Sequence, residues 1–434
     1  MAFIISKSVF GLDGAREYRK FAVVLNGTAN YFARYLSTEK RQWSSQITKN
    51  EDDISKSVFV SQSNDIFTNL AIENWLYKHK DFNKHHVLLI WRNDPCVVIG
   101  RHQNPWVESN IKYLGENGMD LARRNSGGES HFVEDLRPAE AKVSSKPLVT
   151  QFPLLFSLFL GGTVYHDRGN INLSFFTPRE RYNRKHNLRL IKQALKKEFN
   201  LDIEISDKDD LLLDNMKVSG TASKLGRPNA YHHCTLLVNA NKSHLKETLN
   251  VNKSEFQTNA TKSVPSHTKN LVESNAHVSF ERLLPAIGWE FLRTTAISQM
   301  DGGTELINKQ IGFHLINPIE HWFPGLNELR DEFTSWDWRF GKTPKFTVTR
   351  SFPIPADSPD KVTGPKMNVS LRVEKGEILD ISVKLPPGMT ESVMSWCDHF
   401  SSLQGKKYSS QTFELIEKSL SVIEKEKVKE ALRA

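Results

Sequence analysis

Three short clusters in the sequence combine glycine with basic, hydroxyl or imidazole side chains, and such clusters can bind anions. The first, at residues 123–128, reads Arg-Arg-Asn-Ser-Gly-Gly. Its glycines let backbone N–H groups approach an anion closely, and arginine supplies a planar, forked donor. The cluster therefore suits a phosphate or a carboxylate, although an ordinary surface turn accounts for it equally well when it is taken alone.

The second and third clusters add a histidine, carboxylates and a lysine. Residues 162–167 read Gly-Thr-Val-Tyr-His-Asp, Asp209-Asp210 precedes Lys-Val-Ser-Gly-Thr-Ala-Ser-Lys at 217–224, and His-His-Cys-Thr follows at 232–235. A lysine two residues before a Ser-Gly turn can direct a fixed cation at an acyl-phosphate. Taken alone, Lys217 is more simply explained as a solvated strand residue, and the histidine pair as core or surface.

The order of these motifs along the chain closely resembles the lipoate–protein ligase family, and most nearly its mitochondrial lipoyltransferase branch. The motifs are residues 100–106 (GRHQNPW), 123–128 (RRNSGG), 162–167 (GTVYHD), 217–222 (KVSGTA) and 232–237 (HHCTLL). Residues 336–346 (WDWRFGKTPKF) resemble the start of that family's C-terminal accessory domain. The resemblance extends from Ser61 to the C-terminus, with one interruption.

The resemblance implies an α/β (α+β) fold. A chain of 434 residues is longer than one hydrophobic core usually supports, so we expect two domains. The expected catalytic domain is biotin/lipoate-ligase-like, with a mixed β-sheet flanked by helices, and spans residues 56–300. A linker and a small α+β accessory domain would occupy residues 301–434. Residues 1–55 would form a mitochondrial presequence and disordered leader.

The resemblance also implies roles for individual residues. Lys217 would be catalytic and bridge the acyl carbonyl and phosphate oxygens of lipoyl-AMP. Negative charge develops on these oxygens during transfer, and a fixed cation stabilises it. The residues implied to bind lipoyl-AMP are Arg124, Ser126, Gly127, Gly128, Gly162, Val164, His166, Asn170, Asp210, Ser219 and His233. Among them, Asp210 would contact the nucleotide side. An apolar slot that includes Trp91, Val98 and Val164 would hold the dithiolane tail.

The implied reaction moves a lipoyl group to a lysine in the lipoyl domains of 2-oxoacid dehydrogenase E2 subunits. The donor would be lipoyl-AMP or a lipoylated carrier such as the glycine-cleavage H protein. Two alternatives stay open: a ligase that also activates lipoate with ATP and Mg²⁺, and an impaired isoform that only binds lipoyl domains. The loop typical of biotin ligases is absent, and the motifs disfavour Cys234 as the nucleophile of an octanoyltransferase. We expect a monomer without a structural metal.

Composition narrows the setting of the protein. No run approaches the roughly 18–20 apolar residues that a membrane-spanning helix needs, and the three cysteines have no paired spacing, which favours a reducing compartment. Of the net charge of +8, residues 1–50 carry +5, as eight Lys or Arg against three Asp or Glu. This leader resembles an amphipathic presequence, or else is a basic tail, and predicts the mitochondrial matrix. Nucleic-acid binding is disfavoured, because the sequence outside the leader has no basic stripe with interleaved aromatic residues.

One departure from the family pattern interrupts the glycine-rich motif. Thirty-three residues, 129–161, separate Gly128 from Gly162, and their removal restores Ser-Gly-Gly-Gly-Thr-Val-Tyr-His-Asp. The segment can be encoded with a splice-donor sequence at its start, a pyrimidine-rich stretch and an acceptor AG at its end, so we favour a retained intron over a lineage-specific insertion. Because consecutive glycines must converge on one phosphate, we expect the insert to impair activity.

Hydrophobic periodicity predicts the main secondary structure elements. Helices are expected at Ile66–Tyr77 and Asn187–Phe199, and in the second domain at Glu391–Leu403 and Thr412–Leu432. Strands are expected at His86–Trp91, Cys96–Ile99, Cys234–Val238, Phe346–Phe352, Val369–Val373 and Ile378–Leu385, with a hairpin that turns at Asp214-Asn215. Residues 239–279 are polar and predict loop with short helix.

Overall fold

The computed structural model describes residues 54–127, 162–264, 266–353, 366–386 and 400–420. The strands are β1 (Ser55–Ser61), β2 (His85–Trp91), β3 (Cys96–Ile99), β4 (Asp120–Arg123), β5 (Val164–His166), β6 (Asn170–Pro178), β7 (Glu204–Ile205), β8 (Leu211–Leu213), β9 (Met216–Lys217), β10 (Thr221–Leu225), β11 (Asn229–Leu237), β12 (Phe256–Thr258), β13 (Gly312–Ile316), β14 (Phe346–Pro353), β15 (Lys366–Glu374) and β16 (Glu377–Lys384). The helices are α1 (Ile66–His79), α2 (Pro105–Glu108), α3 (Ile111–Glu116), α4 (Arg184–Phe199), α5 (Lys242–Thr248), α6 (Phe280–Arg293), α7 (Gly303–Lys309) and α8 (Leu326–Thr334), with residues 412–420 also helical. A π-helical turn spans Asp337–Gly341, and short 3-10 turns span Arg179–Arg181 and Leu271–Glu273.

The main sheet has six strands in the order β10-β11-β6-β2-β1-β13. β1 pairs in parallel with β2 and β13, whereas β2, β6, β11 and β10 pair antiparallel, so the sheet is mixed. Two smaller three-stranded sheets, β4-β3-β5 and β7-β8-β9, lie beside it. The mixed sheet flanked by helices confirms the predicted fold class.

Both faces of the main sheet are covered, which explains the continuous apolar run of β2. Leu88 and Ile90 pack on one side with residues of α4 and α6, while Val87, Leu89 and Trp91 pack on the other with residues of α1 and α8. Successive side chains of a strand point to opposite faces, so a strand buried on both sides needs apolar residues throughout. The sheet is therefore a rigid wall on which side chains of β6, β10 and β11 are fixed.

A second, antiparallel sheet has the order β12-β14-β15-β16 and is built mainly from the C-terminal part of the chain. Its apolar face packs against Phe400, Tyr408, Phe413 and Ile416. Trp106 of α2 inserts into the same cluster, with its ring 5.4 Å from that of Phe346 and 5.1 Å from that of Tyr408. The two parts of the molecule thus share a packed aromatic contact.

Two strands belong to the sheet of the other expected domain, so the expected domain limits do not match the strand pairing. β13, from the segment expected to be linker, is an edge strand of the main sheet, and β12, from the expected catalytic segment, is an edge strand of the second sheet. Their hydrophobic patterns are too short to show which sheet they would join. The expected leader at 1–55 lies outside the described residues except for Ile54 and Ser55, and Ser55 begins β1.

The other expected elements are present with small differences at their ends. The hairpin of β8 and β9 turns at Asp214 and Asn215, whose φ angles of 52° and 61° fit a type I′ turn. Residues expected to be loop and short helix, 239–279, contain α5 and β12. The expected helix at 391–403 lies mostly outside the described residues, as do the end of the helix at 412–432 and the whole insert. Among the described helices, none is long and apolar enough to cross a membrane.

Candidate active site

A cavity of about 900 Å³ lies where β5, the hairpin of β8 and β9, and the strands β10 and β11 meet beneath α5. Its volume is within the range of small-molecule sites in proteins. The predicted site residues that line it are Arg124, Gly162, Val164, His166, Asp210, Lys217, Ser219 and His233. Residues that lie far apart in the sequence therefore converge on one cavity.

Lys217 stands on the cavity wall at the end of β9. Its Nζ lies 2.8 Å from Oδ1 of Asp210, and both side chains are partly exposed, at 25% and 18%. Its backbone N–H donates to the carbonyl of His267, and its carbonyl accepts from the N–H of Lys269. The short strand is thus held on both sides, and the ammonium is held against the cavity by a carboxylate.

His233 belongs to a buried polar chain that crosses from β11 to α1. His233 Nδ1 lies 2.9 Å from Oε1 of Glu73, and that oxygen accepts from the hydroxyl of Ser174 at 2.6 Å. The indole N–H of Trp91 donates to the Ser174 hydroxyl, and the Trp91 ring meets the His233 ring edge to face at 5.2 Å. Every member has a partner, as a buried network requires.

His166 is fully buried and presents one ring nitrogen that makes no hydrogen bond within the described part of the chain. Asn69 donates its amide to Oδ1 of Asn93, so Asn93 offers its own NH₂ group to Nδ1 of His166, at 3.0 Å. Nδ1 is therefore the acceptor, and Nε2 carries the proton. Burial, with the charges of His233 and Arg124, lowers the pKa of His166 well below its ordinary value, so the ring is a neutral donor.

Arg124 supplies a cation on the same wall. Its Nη1 donates to the carbonyl of Gly162 at 3.2 Å, which ties it to the second half of the glycine-rich motif. Burial lowers the pKa of its guanidinium to about 10, so it remains charged at neutral pH. Lys208, Lys246, Lys253 and Lys262 also line the cavity. This excess of positive charge suits an anionic ligand.

Three of the remaining predicted residues, Ser126, Gly127 and Asn170, are not among the residues that line the cavity and lie behind its wall. Gly127 pairs with Ser223 of β10 through two backbone hydrogen bonds of 3.1 and 3.0 Å. Ser126 is fully buried beside it, and Asn170 is buried at the start of β6. Gly128 lies outside the described residues.

Val98 of β3 and Val164 of β5 are cross-strand partners and form an apolar patch on the cavity wall. Val98 and Val164 line the cavity as expected, whereas Trp91 lies behind His233.

Cys234 is fully buried in the core on the opposite side of β11, and burial raises the pKa of its thiol. A buried thiol with a raised pKa is a poor nucleophile. In the described part of the chain, no group of three or more His, Cys, Asp or Glu side chains is placed to hold a metal.

Several cavity residues were not singled out from the sequence. Glu108, Thr163 and Ser263 line the cavity together with Leu245 and Leu249 of α5. Glu108 lies two residues after the motif at 100–106, so a charged residue close to Pro-Trp was the available signal. The segment that contains Ser263 is polar and carries no pattern that would place it over the site.

Comparison with known proteins identifies the family. The model of the lipoyl protein ligase A/B catalytic domain matches residues 65–134 and 160–292. The chain is 39% identical over 331 residues to the mitochondrial lipoyl amidotransferase LIPT1 of Mus musculus, with 76% of each chain covered. It is 40% identical over 300 residues to the protein of the same name from Homo sapiens, with 68% of each covered.

A bacterial relative and a solved structure extend the comparison. Lipoate-protein ligase A of Psychrobacter cryohalolentis is 34% identical over 282 residues, which is 64% of this chain and 70% of the relative. The crystal structure of P. falciparum LipL1 in complex with lipoate superposes with a TM-score of 0.51 at 24% identity, over 85% of this chain and 98% of that chain. The structural likeness supports the fold, and the sequence relatives confirm the predicted family. The chain belongs to the lipoyl protein ligase A/B family of lipoyltransferases and lipoate–protein ligases.

Proposed function

We propose that the protein transfers a lipoyl group from lipoyl-AMP, or from a lipoylated carrier, to a lysine of lipoyl domains in 2-oxoacid dehydrogenase E2 subunits. The observation that carries the proposal is the convergence of Lys217, Arg124 and His166 on one cavity whose wall also includes the apolar pair Val98 and Val164. Lipoyl amidotransferases at 39–40% identity support it. The glycine-cleavage H protein is the carrier we propose as an alternative donor.

The cavity has the chemistry that a mixed anhydride requires. The amine of the acceptor lysine attacks the acyl carbon, the new C–N bond forms as the C–O bond to phosphate breaks, and AMP leaves while the amine loses a proton to solvent. Negative charge grows on the carbonyl oxygen and then on the phosphate, so Lys217 and Arg124 stabilise it in place. Neutral His166 can donate from Nε2 without adding charge.

The remaining predicted ligand contacts follow from position in the cavity. Asp210 holds Lys217 and would lie at the nucleotide side, while Ser219 and His233 would form the wall beside the acyl carbon. Val98 and Val164 would contact the dithiolane tail. Gly127, Gly128 and Gly162 would meet in one phosphate-binding turn if the insert were absent, with Ser126 and Asn170 behind them.

A second activity, activation of free lipoate with ATP, is favoured by a different observation. The lipoate-protein ligase A of Psychrobacter cryohalolentis is 34% identical to the chain, and the residues that would contact lipoyl-AMP would serve both steps. Mg²⁺ would have to be held by ATP phosphates with at most a few protein oxygens, such as those of Asp210. Incubation with lipoate and ATP in place of lipoyl-AMP separates the two activities.

The insert at 129–161 bears on whether this form is active. The family match stops at residue 134 and resumes at residue 160, so the catalytic-domain pattern itself is interrupted there. Loop-closure entropy grows slowly with length, so the fold can tolerate the insert. In the sequence, however, Glu129 follows Gly128 at the position where the family pattern has a third glycine. We propose that the segment is a retained intron and that this form is impaired or only binds lipoyl domains.

The setting we propose is the mitochondrial matrix, with residues 1–55 as a transit peptide and the protein acting as a monomer. The mouse and human relatives are both named as mitochondrial. Import of the chain fused to a fluorescent protein, with and without residues 1–55, tests the location. Cytosolic fluorescence of the full fusion would contradict it. The division into a catalytic domain at 56–300 and a linker with an accessory domain at 301–434 is likewise a proposal. It does not apply to β12 and β13, which each pair in the sheet of the other domain.

A further inference from the structure

Residues 259–264, which we call the strap, form one side of the cavity, and all six of them line it. Both flanks of the strap are fixed. β12, directly before it, pairs with β14 of the second sheet, and His267 and Thr268, shortly after it, pair with Lys217. The strap therefore spans from the second sheet to the proposed catalytic lysine.

Ser263, near the C-terminal end of the strap, fixes it to the glycine-rich motif. Its hydroxyl oxygen accepts from the backbone N–H of Thr163 at 2.8 Å and from Nε2 of Gln103 at 3.0 Å. A methyl group at Gly162 would lie 2.8 Å from that oxygen, so the absence of a side chain at Gly162 permits the contact. The strap thus rests directly on the Gly162-Thr163 turn.

Gln103 and Glu108 hold Ser263 from below. Glu108 Oε1 accepts the backbone N–H of Ser263 at 3.2 Å, and Gln103 Oε1 accepts the hydroxyl of Thr163 at 3.0 Å. Gln103 is 1% exposed and Glu108 is 3% exposed. Gln103 Oε1 also accepts the backbone N–H of Gly100 at 2.7 Å. Two buried polar side chains that bind the strap and the turn carry a desolvation cost that apolar residues would avoid. Their arrangement is therefore selective for one position of the strap.

We propose that Gln103 and Glu108 are positioning residues that hold the strap closed over the acyl-adenylate site through Ser263. The inference rests on the proposed function and assigns it a means of excluding water. Water can attack the same acyl carbon as the lysine amine, break the same C–O bond and release lipoate and AMP. A closed strap favours aminolysis because it limits the water near the anhydride.

Residues 103–108, which contain Gln103 and Glu108, also contact the second sheet, and this contact gives the strap a second support. Between Gln103 and Glu108, Trp106 is buried in the aromatic cluster with Phe346 and Tyr408. The side chains that hold Ser263 are thus anchored in the C-terminal part of the molecule. A change in the packing of that part would shift the strap as well as the turn.

The test compares Glu108→Ala with Glu108→Gln in the full chain, because glutamine keeps an oxygen that can accept from Ser263. The matched control is Glu116→Gln, an exposed residue of α3. Hydrogen exchange of the strap amides needs no ligand. Glu108→Ala is expected to speed it about ten- to a hundredfold, as the loss of a hydrogen bond to a charged group implies, with Glu108→Gln within about threefold of the parent. Equal exchange in Glu108→Ala and the parent would overturn the proposal.

A second measurement follows the release of AMP from lipoyl-AMP by the same variants, and by their parent, made in a chain that lacks residues 129–161 and assayed without an acceptor. We expect faster hydrolysis for Glu108→Ala, and for Gln103→Ala, than for the parent, and no change for Glu116→Gln. Hydrolysis that is unaffected while the strap amides exchange faster would show that the strap does not exclude water and would overturn that part of the inference. Failure of the parent to bind lipoyl-AMP would instead count against the proposed function, because the exchange measurement is independent of it.

Discussion

Lys217 Nζ lies 2.8 Å from Asp210 Oδ1, so the cation on the cavity wall is held by the carboxylate of the residue directly before β8. The β8–β9 hairpin sets this distance, since Asp210 precedes β8 and Lys217 ends β9. The pair is partly exposed, and a pair of this kind adds little to stability. Its value lies in the fixed direction of the ammonium.

Replacement of Lys217 by alanine should lower the rate of lipoyl transfer from lipoyl-AMP by about a hundred- to a thousandfold, the usual loss for one preorganised transition-state donor. The fold should survive, because the side chain is partly exposed. Lys217→Arg should restore little activity, since a wide planar fork does not replace a compact ammonium. The comparison is made without residues 129–161, with Lys192→Ala on the exposed side of α4 as control. A rate within about threefold of the parent would show that Lys217 is only a solvated strand residue.

Glu73→Gln should reduce stability and change its dependence on pH. Burial alone would raise the pKa of Glu73, but the charge and hydrogen bond of His233, with the Ser174 hydroxyl, lower it below its ordinary value of 4.5. A carboxyl with a lowered folded pKa stabilises fully above its unfolded pKa, and this contribution is lost as the pH falls through the folded pKa. We expect a loss of about 1–3 kcal/mol at neutral pH.

Urea unfolding of the parent and Glu73→Gln at several pH values measures this effect. The difference between the two proteins should stay constant above about pH 5.5 and shrink as the pH falls below about 4.5. A difference that grows on acidification would mean that the carboxyl is already protonated in the folded protein. Glu116→Gln, which alters an exposed carboxyl, serves as the control.

Arg123→Met should destabilise the contact between the two parts of the molecule. The guanidinium of Arg123 is fully buried and donates to the carbonyls of Trp338 and Arg339 at the π-helical turn, to Thr343, and to carbonyls of the loop at 100–103. Removal leaves several buried carbonyls without a donor, at a cost of at least about 3 kcal/mol. Thermal or urea unfolding measures it, with exposed Arg189→Gln as control. A loss below about 1 kcal/mol would contradict this account of the contact.

Deletion of residues 129–161 should raise lipoyl transfer above that of the full chain. Gly128 would then join Gly162 directly, and backbone N–H groups could converge on one phosphate. The paired measurement is the transfer rate of both forms at equal concentration, after circular dichroism has shown that both are folded. Equal rates would show that the insert lies outside the phosphate-binding turn. Sequencing of transcripts across this point tests the intron hypothesis separately, and finding only the long form would contradict it.

The sequence predicted those parts of the structure that depend on local pattern. The apolar run of β2 and the helical spacing of apolar residues in α1 follow from which side chains each element buries, and this depends on the regular period of strands and helices. The turn at Asp214-Asn215 follows from two residues that tolerate positive φ. The membership of β12 and β13 in their sheets depends on long-range pairing, which strands of three and five residues do not encode. Arg124 and His166 were found through motif order. Glu108 and Ser263 were missed because their roles arise from a contact between segments 155 residues apart.

The most direct test is mass spectrometry of an apo lipoyl domain incubated with the protein lacking residues 129–161, with lipoyl-AMP as donor. The account predicts a mass gain of one lipoyl group on the acceptor lysine, which is absent when that lysine is replaced and strongly slowed in Lys217→Ala. Separate incubations with a lipoylated carrier and with lipoate plus ATP identify the donors that the protein accepts. No gain from any of the three donors, with the protein folded, would contradict the proposed function.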